Sequence, residues 1–564
     1  MLDTRSRQLL GRTILISVVA VTLVMAPYTL LDPINLPKLS TLAFFSIITF
    51  SFVIPVSNKL FRSDYKLLAI VLSLFVLQII FVLFFSGANF GEQFYGTFGR
   101  NTGGLAYFSL ALLLLSTALV SSREFLTRFI RMTLIIGVIL ILYGNIQYFG
   151  LEPFPFTNAY TVNAPIGTFG NPDFQSAFMG LIAVVALTMT MNKAFKMLAR
   201  AGLAVMGLVA LIVVYETIAK QGYFSFIAGA GVVAILWLFM IKRKTLALIA
   251  SGIAAMGGAL VFLALINVGP LAAFIYKGSL AARGFYWRAA IKMLVDHPFV
   301  GVGMDGFMNW YRRARSADFY KQGSLTYSNT AHNVYLDIAS SGGFPLIAIY
   351  CGIVALTIAA IVKVVKRSDG FDVYFVAVVG AWIAYQVQSF VSINQLGLAI
   401  WGWVLSGSII GYEISTRVKV ESDISLGNRK NQGKKVKVAV RQLSSNSVIS
   451  IFSGLIIAAL VAIPPYYANA SFTSAFKSGD MNAMLTAAYL KPLDERRLLH
   501  VGTLLRDSKL DAEAIKVVRD ATRNYPDSFY LWQLWASIPT ATSSDVAYAK
   551  AQMKRLDPLN PDLK

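Results

Sequence analysis

Long apolar runs separated by short polar segments dominate the pattern of this chain. A run of about 20 apolar residues is long enough to cross the hydrocarbon core of a bilayer as an α-helix. The pattern therefore predicts an all-α, polytopic integral membrane protein with about twelve or thirteen transmembrane helices. The predicted spans are 14–31, 39–57, 67–86, 104–121, 130–149, 174–191, 200–217, 223–241, 246–267, 343–362, 373–391, 395–415 and 448–465.

Composition agrees with this prediction. Of the 564 residues, 56% are hydrophobic and only 14% are charged, which is too apolar for a soluble globular protein. The formal net charge of +22 would suit a nucleic-acid partner, but the basic residues lie in short clusters between apolar runs. That placement is typical of membrane orientation, so no nucleic-acid partner is expected. Cys351 is the only cysteine, which excludes an intrachain disulfide.

The basic clusters alternate along the chain. Loops on one predicted side carry Arg5/Arg7/Arg12, Lys59/Arg62/Lys66, Arg123/Arg128/Arg131, Lys193/Lys196/Arg200, Lys242/Arg243/Lys244, Lys363/Lys366/Arg367 and a run from Arg417 to Arg441. The alternate short loops hold only Lys38, Arg100 and Lys220. Because positive loops stay in the cytoplasm, we expect a cytoplasmic N-terminus, with the long 268–342 loop and the C-terminal tail facing outward. The first apolar run is interpreted as a retained helix, not a cleaved signal peptide.

These features predict a domain order along the chain. It consists of a transmembrane bundle at 1–267, an outward loop at 268–342, further spans at 343–415, a basic cytoplasmic linker at 416–447, a last span at 448–465 and an outward tail at 466–564.

The tail is more polar than the rest of the chain and its pattern is helical. Pro492 and Pro526 are 34 residues apart and enclose paired amphipathic runs. This period is typical of tetratricopeptide repeats, which build concave docking surfaces. The tail is therefore predicted to be a small soluble α-helical hairpin domain that can dock a protein partner.

The outward loop contains a glycine motif and several carboxylates, and neither pattern predicts a cofactor or metal site. Gly301-Val-Gly303-Met-Asp-Gly306 spells GxGxxG, but no strand is predicted before it, so we interpret it as a glycine-rich turn. The loop carboxylates Asp296, Asp305, Asp318 and Asp337 are scattered, and no clustered acidic motif is present. We therefore expect no catalytic metal and no cofactor.

Cationic residues are the stronger candidates for chemistry. Arg283 and Arg288 lie five positions apart, and on a helix they would flank a site at an offset of roughly 140°. Arginine presents planar, bidentate donors that suit phosphate oxygens, and Lys220 and Arg100 from other outward loops can converge on the same anion. The alternative for each arginine is a headgroup anchor or a structural salt bridge.

His332 is the candidate general base. It follows Asn329 and Thr330, two good N-cap residues, and precedes the helical run Val334–Ala339. We expect its imidazole in the first turn of a helix, where the dipole disfavours the protonated form. A neutral imidazole can accept a proton. The alternative is a histidine that only holds the loop together.

Three ordered pieces of the chain resemble the O-antigen ligase and polymerase superfamily, which includes bacterial protein O-oligosaccharyltransferases. They are Gly167-Thr-Phe-Gly-Asn-Pro-Asp173, then Arg283-x-x-x-Trp287 before Pro298-x-x-Gly-x-Gly303, then Ala331-His332-Asn333 leading into Gly342-Gly-Phe-Pro345. The resemblance covers roughly residues 90–415. The tail resembles the tetratricopeptide extension of a subset of that superfamily. One departure is Lys220-Gln221-Gly222, where family members often carry Ser-Arg-Gly.

The resemblance implies a GT-C-like glycosyltransferase in the bacterial inner membrane. Its donor would be an oligosaccharide linked to undecaprenyl pyrophosphate, and its acceptor a lipid, glycan or protein hydroxyl. Arg283, Arg288, Lys220 and Arg100 would bind the diphosphate without metal, and His332 would activate the acceptor. Trp287, Asn171 and Asn333 would line the cavity. The alternatives are a polymerase of the same superfamily, a lipid-linked glycan flippase or other transporter, and a non-catalytic scaffold.

Overall fold

The computed structural model describes residues 2–154, 156, 164–321, 327–426 and 444–563, and it contains no strand in these ranges. Its α-helices, numbered α1 to α24 in chain order, are Thr4–Leu23, Asn35–Ser51, Ser57–Leu60, Lys66–Phe85, Phe90–Tyr95, Gly104–Val120, Arg123–Tyr148, Pro172–Met189, Met197–Glu216, Gln221–Met240, Lys244–Leu265, Ala272–Ile275, Ser279–Asp296, Phe307–Ala314, Ala317–Lys321, Val334–Arg367, Val373–Val391, Leu396–Leu426, Ser445–Ser478, Met481–Ala488, Glu495–Asp507, Asp511–Asn524, Phe529–Ala536 and Ser543–Leu556. Short 3-10 helices occupy Ile54–Val56, Gly167–Phe169 and Pro561–Leu563.

The prediction of an all-α, polytopic membrane protein is confirmed. Within the described ranges, 12 helices are long and apolar enough to cross a membrane. Helix α6 is also apolar but shorter, and it is not one of these 12. Only helices satisfy all backbone hydrogen bonds within one membrane-crossing segment, which explains why the apolar runs take this form.

The predicted bounds of the first span, 14–31, are wrong. Helix α1 ends at Leu23, because its last carbonyls find partners outside the helix. Lys38, assigned from sequence to an outward loop, lies in the first turn of α2 and is completely buried. Its Nζ donates to the carbonyls of Val21 at 2.9 Å and Thr22 at 2.8 Å, and Thr168 Oγ1 donates to the Thr22 carbonyl at 2.6 Å. These donors cap the helix eight residues before the predicted end.

Helix α16 is kinked where the sequence predicts a span to begin. Gly343 has φ +74°, and a Cβ on it would lie 2.5 Å from the Pro298 carbonyl oxygen. The turn after α13 packs into this kink, since Phe344 N donates to Pro298 O and Val302 N donates to Ser340 O, each at 2.8 Å. The GxGxxG segment is therefore a glycine-rich turn, as predicted, and its partner is the kink of α16.

Two boundaries near the C-terminus also differ from prediction. Helix α19 runs without interruption from Ser445 to Ser478, so the predicted border at 465/466 lies inside a helix that contains Pro464 and Pro465. Helix α18 continues to Leu426, well into the predicted linker. Residues 427–443 of that linker lie outside the described part of the chain.

The irregular segments gather at two opposite ends of the bundle. At one end, Arg367 contacts Glu413 at 3.1 Å and Lys242 donates to the Ser368 carbonyl at 2.7 Å. The other end contains the loops after α4, α7 and α9 together with α13 to α15 and the tail. The candidate catalytic and anion-binding residues lie at this second end.

The tail contains the predicted helical hairpins, α21 with α22 and α23 with α24. It docks on α14 through charges. Asp557, at the end of α24, is fully buried and accepts hydrogen bonds from Arg315 at 2.7 and 2.8 Å, while Arg312 lies 3.4 Å away. Arg313 donates to Asp527 at 2.6 Å. The tail and the outward loop therefore lie on the same side of the bundle.

Replacing Asp557 by alanine should loosen the docked tail. Two largely buried arginines would lose their carboxylate, and removing one partner from a buried ion pair costs about 3–5 kcal/mol. Hydrogen exchange should rise in α14 and α24 of the purified protein. Asp562→Ala, an exposed change five residues later, is the matched control and should leave exchange unchanged. Equal exchange in both variants would show that this ion pair does not hold the tail.

Candidate active site

Arg283 is the buried cation of the site. It lies on α13 and is 8% exposed, with its Nη2 atom 3.6 Å from Oδ2 of Asp173. Burial lowers the pKa of Arg283 from its ordinary value, and the Asp173 carboxylate opposes that shift. Asp173 lies in the first turn of α8, after Asn171, whose side chain caps the helix through the Asp173 amide at 2.8 Å. This ion pair joins the first two pieces of the sequence resemblance.

His332 lies immediately before α16, so its predicted place in the first helical turn is wrong. The N-cap is Asn333, whose Oδ1 accepts from Leu336 N at 3.1 Å, and not Asn329 or Thr330. His332 instead has φ +53°, a left-handed conformation that is uncommon for residues other than glycine. Such strained backbone often occurs at functional sites.

One ring nitrogen of His332 is held by the preceding residues. Its Nδ1 lies 3.2 Å from Thr330 Oγ1, 3.3 Å from the Thr330 carbonyl and 3.5 Å from Ser328 Oγ. When Nδ1 carries the proton, it donates to that carbonyl and leaves Nε2 with a lone pair. Asp337 fixes the same turn, because its Oδ1 accepts from Ala331 N at 2.6 Å. The arrangement orients one nitrogen as a proton acceptor.

Arg100 reaches the site from a separate loop. Its Nη2 donates to Asn329 Oδ1 at 2.5 Å, three residues before His332. The loop itself is held by Asp305, which accepts from Thr97 N at 2.8 Å and from Thr102 Oγ1 at 2.9 Å. Burial raises the pKa of Asp305, and these hydrogen bonds favour its charged form. Asp305 thus positions the Arg100 loop against the glycine-rich turn.

The surroundings of His332 keep its imidazole in the neutral form. Burial, followed by the positive charges of Arg100 and Arg283, lowers the pKa of His332 to about 3. The sequence predicts a neutral imidazole at His332 because of a helix dipole. In the structure the cause is burial, together with the positive charges of two arginines. The ring of Tyr286, also on α13, packs against the imidazole with centroids 5.4 Å apart.

The other two predicted diphosphate-binding residues, Arg288 and Lys220, are exposed and have no described contact with His332. Arg288 is exposed on α13 and stacks on Phe285 at 4.6 Å. Lys220 is exposed before α10. The buried residue of that turn is Gln221, whose side-chain oxygen and nitrogen have no partner among the described residues.

The three residues predicted to line the cavity, Trp287, Asn171 and Asn333, have roles in packing or in capping helices. Trp287 packs with the aromatic side chains of α13 and α14, and within the described ranges its Nε1 is buried without a partner. Asn171 and Asn333 cap α8 and α16 with their side chains. Their role as cavity lining stays a prediction.

Sequence reasoning missed the residues that hold the site together. Asp173 was noted only as the last residue of the first piece of the resemblance, although it pairs with Arg283. Thr330 was interpreted as a helix cap, and Asp305 as one of several scattered carboxylates. Each is separated from its partner by many residues or by an unusual backbone turn, so sequence spacing carried little signal.

The described ranges contain no group of three or more His, Cys, Asp or Glu side chains that could hold a metal ion. The candidate site is thus one imidazole and two guanidinium groups at the end of a helical membrane bundle. This arrangement can bind an anion and accept a proton.

The fold and site define a multi-pass membrane protein with a cationic, histidine-containing site at one end. Residues 205–351 match the family model described as O-antigen ligase, so this segment of the chain is similar to that family. The matched segment contains Arg283 and His332. The predicted resemblance to this superfamily is therefore confirmed for residues 205–351, whereas its first piece, residues 167–173, and the tail lie outside the matched segment. A comparison with curated proteins found no match.

The neutral state of His332 can be tested directly, since the chain has only three histidines. In protein labelled with nitrogen-15 at histidine, the ring signals of His332 should keep their neutral shifts at pH 5. Loss of the signals in His332→Gln assigns them. Arg100→Gln and Arg283→Gln each remove a positive neighbour and should raise the pKa. A midpoint near pH 6.5 in the wild type would contradict the buried, cation-flanked geometry.

Proposed function

We propose that this protein is a membrane glycosyltransferase of the O-antigen ligase type. It transfers a glycan from an undecaprenyl-pyrophosphate carrier to the hydroxyl of an acceptor. The observation that carries the proposal is His332 in a strained turn at one end of the bundle, with Arg100 hydrogen-bonded to Asn329 of the same loop and the positive charges of Arg100 and Arg283 acting on the imidazole. The match of residues 205–351 to the O-antigen ligase family supports a lipid-linked glycan donor.

In the proposed reaction His332 is the general base. The acceptor hydroxyl approaches Nε2, which takes its proton as the oxygen attacks the anomeric carbon. The bond between that carbon and the diphosphate oxygen breaks, and its electron pair leaves with the undecaprenyl pyrophosphate. One glycosidic bond forms, one phosphoester bond breaks, and the proton remains on the imidazole until water or the departing diphosphate accepts it.

The arginines bind the departing anion. The positive charges of Arg283 and Arg100 act on the histidine, and preorganised positive charge lowers the barrier most when it lies where negative charge develops. We assign to Arg288 and Lys220 the outer part of the carrier, since both are exposed at the same end of the bundle. No metal takes part in the proposed reaction.

Binding of the diphosphate also explains how so weak a base can act. The positive charges of Arg100 and Arg283 disfavour protonation of the empty site. A bound diphosphate supplies negative charge that offsets them, and an opposite charge nearby favours the imidazolium form. His332 therefore becomes a stronger base when the donor is present, which couples proton acceptance to donor binding.

The proposed location is the bacterial inner membrane, with a cytoplasmic N-terminus and an outward-facing site. The alternation of basic loops supports this orientation. The contacts between α14 and the tail support the same side for the outward loop and residues 466–564. The tail, proposed to be a tetratricopeptide-like domain, would lie beside the site, where a protein partner can dock.

Transfer assays with purified protein and a donor from the native host test these roles. His332→Ala should lower kcat/KM by about 10²–10⁴, as for loss of a general base. Arg283→Ala should lower it by about 10²–10³, as for loss of a charge-stabilising donor. Arg288→Ala should have a smaller effect because its guanidinium group is exposed.

Two controls accompany this assay. Lys292→Ala removes an exposed cation from the same helix, where it pairs with Asp296, and should change kcat/KM by less than about twofold. Wild-type transfer should survive EDTA. Full activity of His332→Ala would contradict the assigned mechanism, and no transfer by the wild type would favour a transporter or a scaffold.

The pH dependence gives a separate test. With a pKa of about 3, His332 in the free enzyme is already neutral throughout pH 5 to 7. The value of kcat/KM, which reports the free enzyme, should therefore stay nearly constant over this range. A base with the ordinary histidine pKa of about 6.5 would lose about thirtyfold by pH 5.

The profile of kcat reports the enzyme with donor bound, so its acid limb should lie at higher pH than that of kcat/KM. In Arg100→Gln the acid limb of kcat/KM should also move to higher pH, because one positive neighbour is gone. An acid limb with a midpoint near 6.5 in wild-type kcat/KM would contradict the proposed electrostatics.

A further inference from the structure

A cavity of about 250 Å³ lies between the membrane bundle and the tail. Residues between 91 and 101 form one wall, and residues between 492 and 499 of the tail form the other. Tyr327 and Asn329 of the outward loop also line it, together with Leu36, Met308, Pro465, Asn469, Tyr525 and Tyr530. Because the two main walls come from distant parts of the chain, the cavity exists only when the tail is docked.

The cavity carries an unused hydrogen-bonding group. Asn101 is only 6% exposed and lines the cavity. Its Nδ2 donates weakly to the Tyr95 carbonyl at 3.4 Å, and its Oδ1 has no partner in the described part of the chain. A buried polar atom without a partner is costly, and this residue lies in the wall of the cavity.

Two carboxyl groups face each other across the same space. Glu92 comes from α5 and accepts from Asn309 Nδ2 at 3.0 Å, while Glu495 comes from α21 and accepts from Ser528 Oγ. Burial, and then the charge of Glu495, raises the pKa of Glu92 to about 8, and burial also raises that of Glu495. Both shifts favour the protonated form, in which a carboxyl group can donate as well as accept a hydrogen bond.

Aromatic rings provide the apolar part of the lining. Phe98 is partly exposed in the cavity wall, and no other ring packs on it within the described ranges. Tyr327 and Tyr530 pack edge to face with centroids 5.5 Å apart at another part of the wall. Sugar rings present hydroxyl groups at their edges and C–H groups on their faces, so amides, carboxyls and exposed rings together suit a saccharide.

We propose that this cavity binds a sugar residue of the acceptor and holds it beside the active site. The proposal rests on the transferase function proposed above. Asn329 links the two places, because it lines the cavity and accepts the hydrogen bond from Arg100. The next residue, Thr330, holds the imidazole of His332.

Size and lining favour a sugar over a peptide. A volume of about 250 Å³ falls below the range of about 300–1,000 Å³ for pockets that take drug-sized ligands, so one sugar residue and not a long chain is enclosed. Peptide recognition commonly uses a sheet edge or an apolar groove. The described ranges contain no strand, and the cavity lining is rich in polar side chains.

Direct binding to the full-length protein in nanodiscs tests the proposal. The probe is the delipidated oligosaccharide of the native host's surface glycolipid, a soluble form of a glycan acceptor, titrated by calorimetry. Phe98→Ala and Asn101→Gly should each weaken binding at least tenfold. Glycine suits the positive φ of Asn101, so that change removes the amide without straining the backbone. Phe98→Leu keeps an apolar side chain, removes the flat ring face and should also weaken binding.

Two comparisons separate this proposal from the transferase function. Lys516→Ala, an exposed change on α22 away from the cavity, should bind the oligosaccharide as the wild type does. Arg283→Ala should lower the kcat/KM of transfer by about 10²–10³ while leaving oligosaccharide binding within about twofold. In the transfer assay Phe98→Ala should raise the acceptor KM at least tenfold with kcat nearly unchanged.

Three results would overturn the cavity proposal. They are equal binding by wild type, Phe98→Ala and Asn101→Gly, no oligosaccharide binding by the wild type, and binding of a serine- and threonine-rich peptide instead of the oligosaccharide. Absence of transfer together with oligosaccharide binding that depends on Phe98 would overturn the transferase function alone. Thermal unfolding of each variant confirms that it is folded.

Discussion

Backbone polar groups cannot be left unpaired in the hydrocarbon core of a membrane, and this constraint organises the whole protein. It makes the apolar runs helical and moves irregular backbone to the two ends of the bundle. The left-handed turn at His332, the glycine-rich turn after α13 and the loop of Arg100 all lie at one end. That concentration of non-helical backbone creates the place where polar side chains from distant parts of the sequence can meet.

Three carboxylates connect the pieces that meet there. Asp173 joins α8 to Arg283 on α13, Asp305 holds the loop of Arg100, and Asp557 joins the tail to α14. Each pairs with groups that are far away in sequence. The positive charge that remains is directed at His332, whose low pKa is a consequence of the assembled site and not of the histidine itself.

The docked tail changes the shape of the site as well as its surroundings. Helix α19 extends without a break from the membrane into the tail, and the arginines of α14 fix the tail over the outward loop. A cavity forms between them that neither part would enclose alone. Under the proposed function, the tail would select an acceptor, while the bundle would bind the donor and carry the reaction.

The sequence alone determined the all-helical membrane class, the number of apolar spans and the pairs of tail helices, because hydrophobic length and periodicity act locally. It also pointed to Arg283, Arg100 and His332 through residue type and motif. It did not determine that α1 ends at Leu23, since the capping donors Lys38 and Thr168 come from elsewhere. Nor did it determine that Arg283 is buried while Arg288 is exposed, or that His332 precedes its helix in a left-handed turn. Those features depend on contacts between residues far apart in the chain, and only the tertiary structure decides them.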